Sequence, residues 1–309
     1  MTPDAADEHT APVPTTTSDQ GIDLHYDVVG DGPETLLLVC GLGAQSVGYD
    51  LGFCELLGAL GVRVVRFDNR DTGLSTHLHD HVPDVLGAIV AATSGDRVDA
   101  LYDLSDMALD AVAVLDAVGA DRAHVVGASM GGMIAQSVAI EHPARVASLT
   151  SIMSTTGEVG VGAPDPEVLT SLVGILAPSE DRAARIDGMV ELARLIGTGW
   201  CFDETRARDR AAESVDRADD ALGVARQLTA ILASGSRADR LPSVGAPTVV
   251  LHGDADRLVD HSGGVRTAEL VPGAELRTLE RMAHDLPPEY WPQVVDGVAA
   301  AVRRAGGAD

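Results

Sequence analysis

The residues best placed to do chemistry centre on Gly127-Ala128-Ser129-Met130-Gly131. The Gly-x-Ser-x-Gly pattern follows the apolar pair Val125-Val126 and precedes Met133-Ile134-Ala135. It predicts a strand, a sharp turn with Ser129 at its apex, and a helix. Such a turn is crowded, and a side chain two positions either side of the serine would collide as strand passes into helix. The helix would direct its free N–H groups at the serine and favour negative charge there. An exposed hydroxyl beside an anion site is what acyl transfer requires. Gly/Ser turns without chemistry share the pattern, so the reading depends on partners elsewhere in the chain.

A nucleophilic serine needs a base, and the base needs an orienting acid. Of ten histidines, position favours His284, in the loop between the last predicted strand and the closing helix. That loop lies at the same sheet edge as Ser129. The acid should leave the preceding strand at that edge, where His252-Gly253-Asp254-Ala255-Asp256-Arg257-Leu258-Val259-Asp260 offers three candidates. Asp256 is preferred. Asp254, beside Gly253, reads as a turn residue and Asp260 as a helix cap. The strand before that one is followed by Ser154-Thr155-Thr156-Gly157, with no acid until Glu158.

An oxyanion needs N–H donors. Met130 supplies one at the predicted helix start and Leu42 the other, in Cys40-Gly41-Leu42-Gly43-Ala44-Gln45. Gly41 and Gly43 let that backbone approach a substrate closely. Trp200, Leu228 and Leu232 are further candidates for substrate contact, although with Phe202 they read equally well as the core of their own segment. Gln227 either reaches substrate or faces solvent. His77-Leu78-His79-Asp80-His81 has the look of a metal tract, but metal ligation needs convergent geometry and usually further ligands, and the stretch reads as a solvated loop near the active-site edge. No metal and no organic cofactor is expected. Asp68 to Asp71 reads as a structural turn.

The elements that must position these residues follow from periodicity. Ile22, Leu24, Tyr26 and Val28 alternate as in a half-exposed strand. Buried strands are expected at Thr35–Val39, Val62–Phe67, Val146–Met153 and Thr248–Leu251, and a last strand at Glu275–Leu279. Helices are expected at Ser46–Leu60, Leu101–Val118, Ser262–Leu270 and Pro288–Arg304, while Thr76–Ala100 is ambiguous. Alternating strands and helices imply right-handed crossovers and a mostly parallel, doubly wound sheet. The acid-rich, helical stretch interrupting that alternation reads as a lid over the strand C-terminal ends, where such sheets bind ligands. The expected organisation is a disordered tail over 1–20, a core over 21–156, a helical lid over 157–240 and the rest of the core over 241–309.

Composition narrows the partners. The chain has 309 residues, enough for one large α/β domain with an insertion. Its 22 basic side chains are all arginine, against 47 acids, a formal net charge of −25. This argues against nucleic acid, acidic membrane surfaces and strongly anionic substrates. No apolar run approaches the ~18–20 residues needed to span a bilayer, and the N-terminus lacks the features of a signal peptide. Three cysteines without metal spacing read as reduced thiols of a cytoplasmic protein. A small-molecule substrate is expected, and a homodimer is left open.

The chain resembles the α/β-hydrolase superfamily over residues 21 to 305. It is similar to actinobacterial esterase/lipase-like members, including anthracycline methyl esterases of the aclacinomycin methylesterase type. The resemblance is carried by Arg66 to Ser75, Ala123 to Gly132, His252-Gly253-x-x-Asp256-x-x-Val259 and Met282-Ala283-His284. It implies a catalytic Ser129, Asp256 and His284. Cys40 is a departure, since many members carry histidine before the residue matching Gly41. The function expected is a serine carboxylic-ester hydrolase acting through an acyl-enzyme on a neutral or apolar small molecule. The same triad can instead serve C–C bond hydrolysis, lactone opening or perhydrolysis. A ligand-binding or biosynthetic protein with little turnover is the alternative of another class, against which the intact triad argues.

Overall fold

Continuous apolar runs form the centre of an eight-stranded sheet. It is seen in a computed structural model that describes residues 14–175, 181–218 and 220–307. In chain order the strands are β1 (Thr15–Thr17), β2 (Asp23–Val29), β3 (Glu34–Val39), β4 (Val62–Phe67), β5 (Ala123–Ala128), β6 (Val146–Ile152), β7 (Thr248–Gly253) and β8 (Glu275–Leu279). Their spatial order is β1-β2-β4-β3-β5-β6-β7-β8. β1 pairs antiparallel with β2, β2 antiparallel with β4, and every later pair is parallel.

The helices are α1 (Leu51–Gly58), α2 (Val85–Ser94), α3 (Leu104–Ala117), α4 (Met130–Glu141), α5 (Pro166–Ile175), α6 (Arg182–Ile196), α7 (Glu204–Arg217), α8 (Ala221–Ser234), α9 (Ser262–Leu270) and α10 (Trp291–Gly306). Successive strand side chains point to opposite faces, so the central runs serve two cores. Leu37, Val39 and Phe67 pack with Met107, Leu115 and Ile134 of α3 and α4. Leu36, Leu38 and Val64 pack with Phe53 and Leu57 of α1 and Val294 and Val298 of α10.

Helices α5 to α8 come between β6 and β7. The α6–α7 pair has its own small core of Ile186, Val190, Ala211 and Val215. By contrast, α8 packs against α2 and α3. The segment's exit is tied to its entry, because the Arg237 N–H donates to the Thr156 carbonyl at 2.8 Å. Among the described residues no helix is long and apolar enough to cross a membrane.

Three expectations need correction. The tail expected over 1–20 falls partly outside the described residues, but Thr15–Thr17 is a strand, and Gln20 bonds Asp106 and Arg70. The helix expected over Ser46–Leu60 breaks in two, because the Asp50 carboxylate accepts the Gly52 N–H at 2.9 Å and starts α1 afresh. Within the ambiguous Thr76–Ala100 stretch, α2 forms between an Asp84 cap and left-handed Gly95 (φ 75°).

Candidate active site

Ser129 stands alone between β5 and α4 at φ 56°, ψ −122°. A non-glycine residue there stores about 1–3 kcal/mol and persists only where its surroundings hold it. Here the Ser129 N–H donates to the Ile152 carbonyl at 2.9 Å. The Ser129 carbonyl accepts from the Gly132 N–H at 2.9 Å and from Ser154 Oγ at 2.8 Å. The flanking glycines are a packing requirement. A Cβ on Gly127 would lie 2.0 Å from the Gly131 carbonyl oxygen, and one on Gly131 would lie 2.0 Å from that of Val39.

The loop after β8 brings His284 to this turn. Its Nε2 lies 3.0 Å from Ser129 Oγ and its Nδ1 lies 2.7 Å from Asp256 Oδ2. A carboxylate only accepts, so Nδ1 carries the proton and Nε2 is left to accept from the hydroxyl. Asp256 comes from the loop after β7. Its Oδ1 accepts the Leu258 and Val259 N–H groups, both at 2.9 Å. Burial works against its charge, but the neighbouring His284, hydrogen bonds to His252 and His284 and the Val259 amide outweigh burial. They hold the carboxyl well below the usual carboxylate range.

Asp254 and Asp260 do other work. Asp254 accepts the Arg281 N–H at 2.6 Å, and Asp260 accepts the Ser262 N–H at 3.0 Å where α9 begins. Glu158 is paired with Arg266 at 2.9 Å.

Gly41 lies against the serine, since a Cβ on it would be 3.3 Å from Ser129 Cβ. Among the described residues neither the Leu42 nor the Met130 N–H has a protein acceptor; Met130 follows Ser129 directly, and Leu42 follows Gly41. The Gly43 N–H is occupied by Gln227 Oε1 at 2.9 Å. The Cys40 thiol beside this loop donates to the Phe67 carbonyl, and burial first, then Asp68, pushes its pKa up.

A cavity of about 360 Å³ opens beside His284. It is lined by the Gly43–Gly48 loop, by Met189, Ala193 and Ile196 of α6, by Phe202, and by a mixed face of α7 that includes Ala207, Ala211, Glu213 and Ser214. Arg206, Arg210 and Asp285 also border it. Trp200 does not. Its half-exposed ring lies against Tyr290 and under the Arg281 guanidinium, in a separate groove with Thr278 and Gln293. Leu228 and Leu232 do not border the cavity either, because α8 packs down on α2 and α3 rather than over the serine. Gln227 faces neither substrate nor solvent: it is fully buried.

Of the histidine tract, His77 and His79 both approach Asp220 Oδ2, at 3.1 and 3.4 Å. Arg226 already binds that same oxygen at 2.7 Å, placing a fixed positive charge where a metal ion would sit.

Several residues around the site are given no role by the sequence reading. His252 Nε2 faces the Val259 carbonyl at 2.8 Å and Asp256 Oδ2 at 3.4 Å, bracing the acid from the strand that delivers it. Thr198 Oγ1, from the inserted segment, accepts the Ala283 N–H at 2.9 Å and donates to Asp285 Oδ1 at 2.6 Å. The His284 N–H donates to the Ile196 carbonyl at 2.9 Å. The Thr198 and Ile196 links could not be foreseen, since their partners stand 85 residues or more away and are joined by folding alone.

A mostly parallel sheet flanked by helices, with helices inserted before its last two strands, defines an α/β-hydrolase, and the chain is an enzyme of that class. It belongs to the hydrolase family described as serine aminopeptidase, S33, whose family model matches residues 32–290. It is 27% identical over 310 residues to the rhodomycin D methylesterase DnrP of Streptomyces peucetius, covering 94% of this chain and 97% of that protein. It is 28% identical over 278 residues to a 2-hydroxy-6-oxononadienedioate/2-hydroxy-6-oxononatrienedioate hydrolase of Dechloromonas aromatica, covering 86% of each. The crystal structure of the enol-lactonase from Burkholderia xenovorans LB400 superposes with a TM-score of 0.71 at 21% identity, over 94% of this chain and 100% of that one. Hydrolysis of esters and related small molecules is thus the activity of the chain's relatives, and a hydrolase is what the chain is.

Proposed function

We propose that the protein is a serine carboxylic-ester hydrolase with Ser129 as nucleophile, His284 as base and Asp256 as orienting acid. The observation that carries this reading is the hydrogen-bonded line from Asp256 through His284 to Ser129 Oγ, at 2.7 and 3.0 Å. His284 Nε2 takes the hydroxyl proton as Ser129 Oγ attacks the ester carbonyl carbon. The carbonyl oxygen becomes an oxyanion held by the Leu42 and Met130 N–H groups. Collapse breaks the bond to the alcohol, which leaves with the proton from His284. Water, deprotonated by His284, then attacks the acyl-enzyme, and the carboxylic acid departs. Asp256 fixes the tautomer and stabilises the imidazolium formed in each half.

The apolar side chains Met189, Ile196 and Phe202 favour a neutral or apolar ester, and in this reading α6 and α7 act as the lid. The test is hydrolysis of a short-chain aryl ester, together with labelling by a fluorophosphonate. The wild type should hydrolyse and label, and Ser129→Ala should do neither. Full activity in Ser129→Ala would sink the mechanism. A panel of ester, lactone and vinylogous 1,5-diketone substrates separates ester cleavage from other bonds open to the same triad.

A further inference from the structure

The loop that carries Leu42 is tied at its far end through Gln45, which bonds the Ser214 and Ala218 carbonyls and Arg217. It leaves β3 at Val39 and turns at Gly43, which sits at φ 67°. Within the loop, the Ala44 N–H reaches the Gly41 carbonyl at 3.2 Å. At its start, Asn69 Nδ2 donates to the Cys40 carbonyl at 3.0 Å. The Ala44 bond closes a turn with Leu42 and Gly43 at its centre and holds the carbonyl of the peptide that carries the Leu42 N–H.

The tip is held from α8. Gln227 is fully buried and uses both ends of its amide. Oε1 accepts the Gly43 N–H at 2.9 Å, and Nε2 donates to the Arg70 carbonyl at 2.7 Å. A flipped amide would set NH₂ against N–H and oxygen against oxygen, so one orientation is dictated. The anchor point is itself rigid, because the Arg70 guanidinium grips buried Asp110 at 2.6 and 2.8 Å. One turn of α8 earlier, Val224 presses on the same glycine, at 3.0 Å from where a Cβ would stand. On the other side of Gln227, buried Arg226 pins α8 to Asp71 at 2.8 Å.

Two consequences follow for the oxyanion. The Gly43 N–H is spent on Gln227, which leaves the Leu42 N–H, next to the Gly41 that lies against Ser129, as the donor open to an oxyanion. The Leu42 N–H lies in the Gly41–Leu42 peptide, one residue before the Leu42–Gly43 peptide whose N–H Gln227 holds, so fixing Gly43 limits how that donor can turn. We propose that Gln227 is a positioning residue, which aligns the Leu42 N–H with the oxyanion by fixing Gly43 to the Arg70 carbonyl. This rests on the ester-hydrolase reading above. It gives the inserted segment a role in turnover beyond covering the pocket. Gln227 touches neither substrate nor the reacting atoms, so its loss should weaken transition-state stabilisation while leaving substrate binding nearly intact.

The test is steady-state hydrolysis of a short-chain aryl ester by the wild type, Gln227→Met and Thr229→Val. Folded protein is quantified by circular dichroism, and fluorophosphonate labelling rates are measured alongside. Methionine keeps the length of glutamine and loses both hydrogen bonds. Thr229 is a buried neighbour on α8 whose hydroxyl bonds only the Arg226 carbonyl, so its loss reports general loosening of the helix. Gln227→Met should lower kcat about 10- to 100-fold, somewhat less than outright removal of an oxyanion donor. Its KM should change less than about threefold, and its labelling rate should fall with kcat. Thr229→Val should keep kcat even where its melting temperature drops. If Gln227→Met does not fold, Gln227→Asn, too short to span both partners, is read by the same criteria.

A wild-type kcat and labelling rate in the Gln227 variant would overturn the proposal and leave the hydrolase reading standing. An equal loss of kcat in Thr229→Val would also overturn it, since the effect would then be one of helix stability. A wild type that neither hydrolyses nor labels overturns the hydrolase reading and this proposal with it.

Discussion

Asp256 keeps its charge at a place where burial alone would remove it. The site offsets that penalty with two backbone N–H groups, His252 and the His284 ring. Its folded-state pKa therefore lies below the unfolded value of about 3.9. A carboxyl depressed in this way contributes stability that is fully present above the unfolded value and is lost as pH falls through the folded one. Asp256→Asn should therefore be less stable than wild type near pH 7 in urea unfolding, and the gap should narrow below about pH 4. The same variant should lose about 10³–10⁴ in kcat, because an amide can present N–H to His284 Nδ1 and select the wrong tautomer. A gap that is unchanged by acid would show that the pair is not what depresses this carboxyl. At this scale the sequence is informative where chemistry dictates residue type. Ser129, Asp256 and His284 are readable because few residues can fill such roles and each follows a strand. Thr198 and Gln227 are not readable, because any polar side chain of the right reach could do their work.

At the scale of elements, the inserted segment holds loops that carry candidate site residues. Ile196 and Thr198, between α6 and α7, hold the backbone on either side of His284, while α8 holds the opposite loop through Gln227. Thr198→Val keeps the side-chain shape and deletes one hydroxyl. It strands the Ala283 N–H and removes the donor to Asp285, whose carboxyl is already pushed up by burial. Each group left unpaired costs about 1–3 kcal/mol, so urea unfolding should register the loss. The kcat should fall as well, since His284 lies between the two stranded groups, whereas Thr198→Ser should retain both stability and rate. The central strands are legible because doubly buried strands demand unbroken apolar runs. The element α2 is not, since Leu86 and Val90 are exposed and its pattern does not resemble an amphipathic helix. Likewise, β1 is a run of three threonines whose strand state depends on pairing with β2.

Over the whole molecule, the surplus of acid sets how stability responds to salt. Two opposing effects are in play. Exposed pairs such as Arg182–Asp216 and Arg208–Asp187 attract at contact distance, but such pairs are worth only about 0–1 kcal/mol each. Against them stands a charge of −25, so even perfect one-to-one pairing of all 22 arginines leaves 25 acids repelling one another. Repulsion acts over tens of ångströms, and the ion pairs act over roughly 3 Å. The screening length falls from about 30 Å at 0.01 M salt to about 3 Å at 1 M, so salt removes the long-range repulsion before it weakens the contacts. Melting temperature at pH 7 should therefore rise with sodium chloride between 10 mM and 1 M. A gain of 1 kcal/mol corresponds to about 2–4 °C in domains approaching this size. Choline chloride should reproduce the rise, since charge screening does not depend on the identity of the cation. The rise should shrink near pH 4.5, where protonation of exposed carboxylates lowers the net charge. A melting temperature that falls with chloride would mean that the arginine pairs, despite their number, outweigh the repulsion of the acids around them.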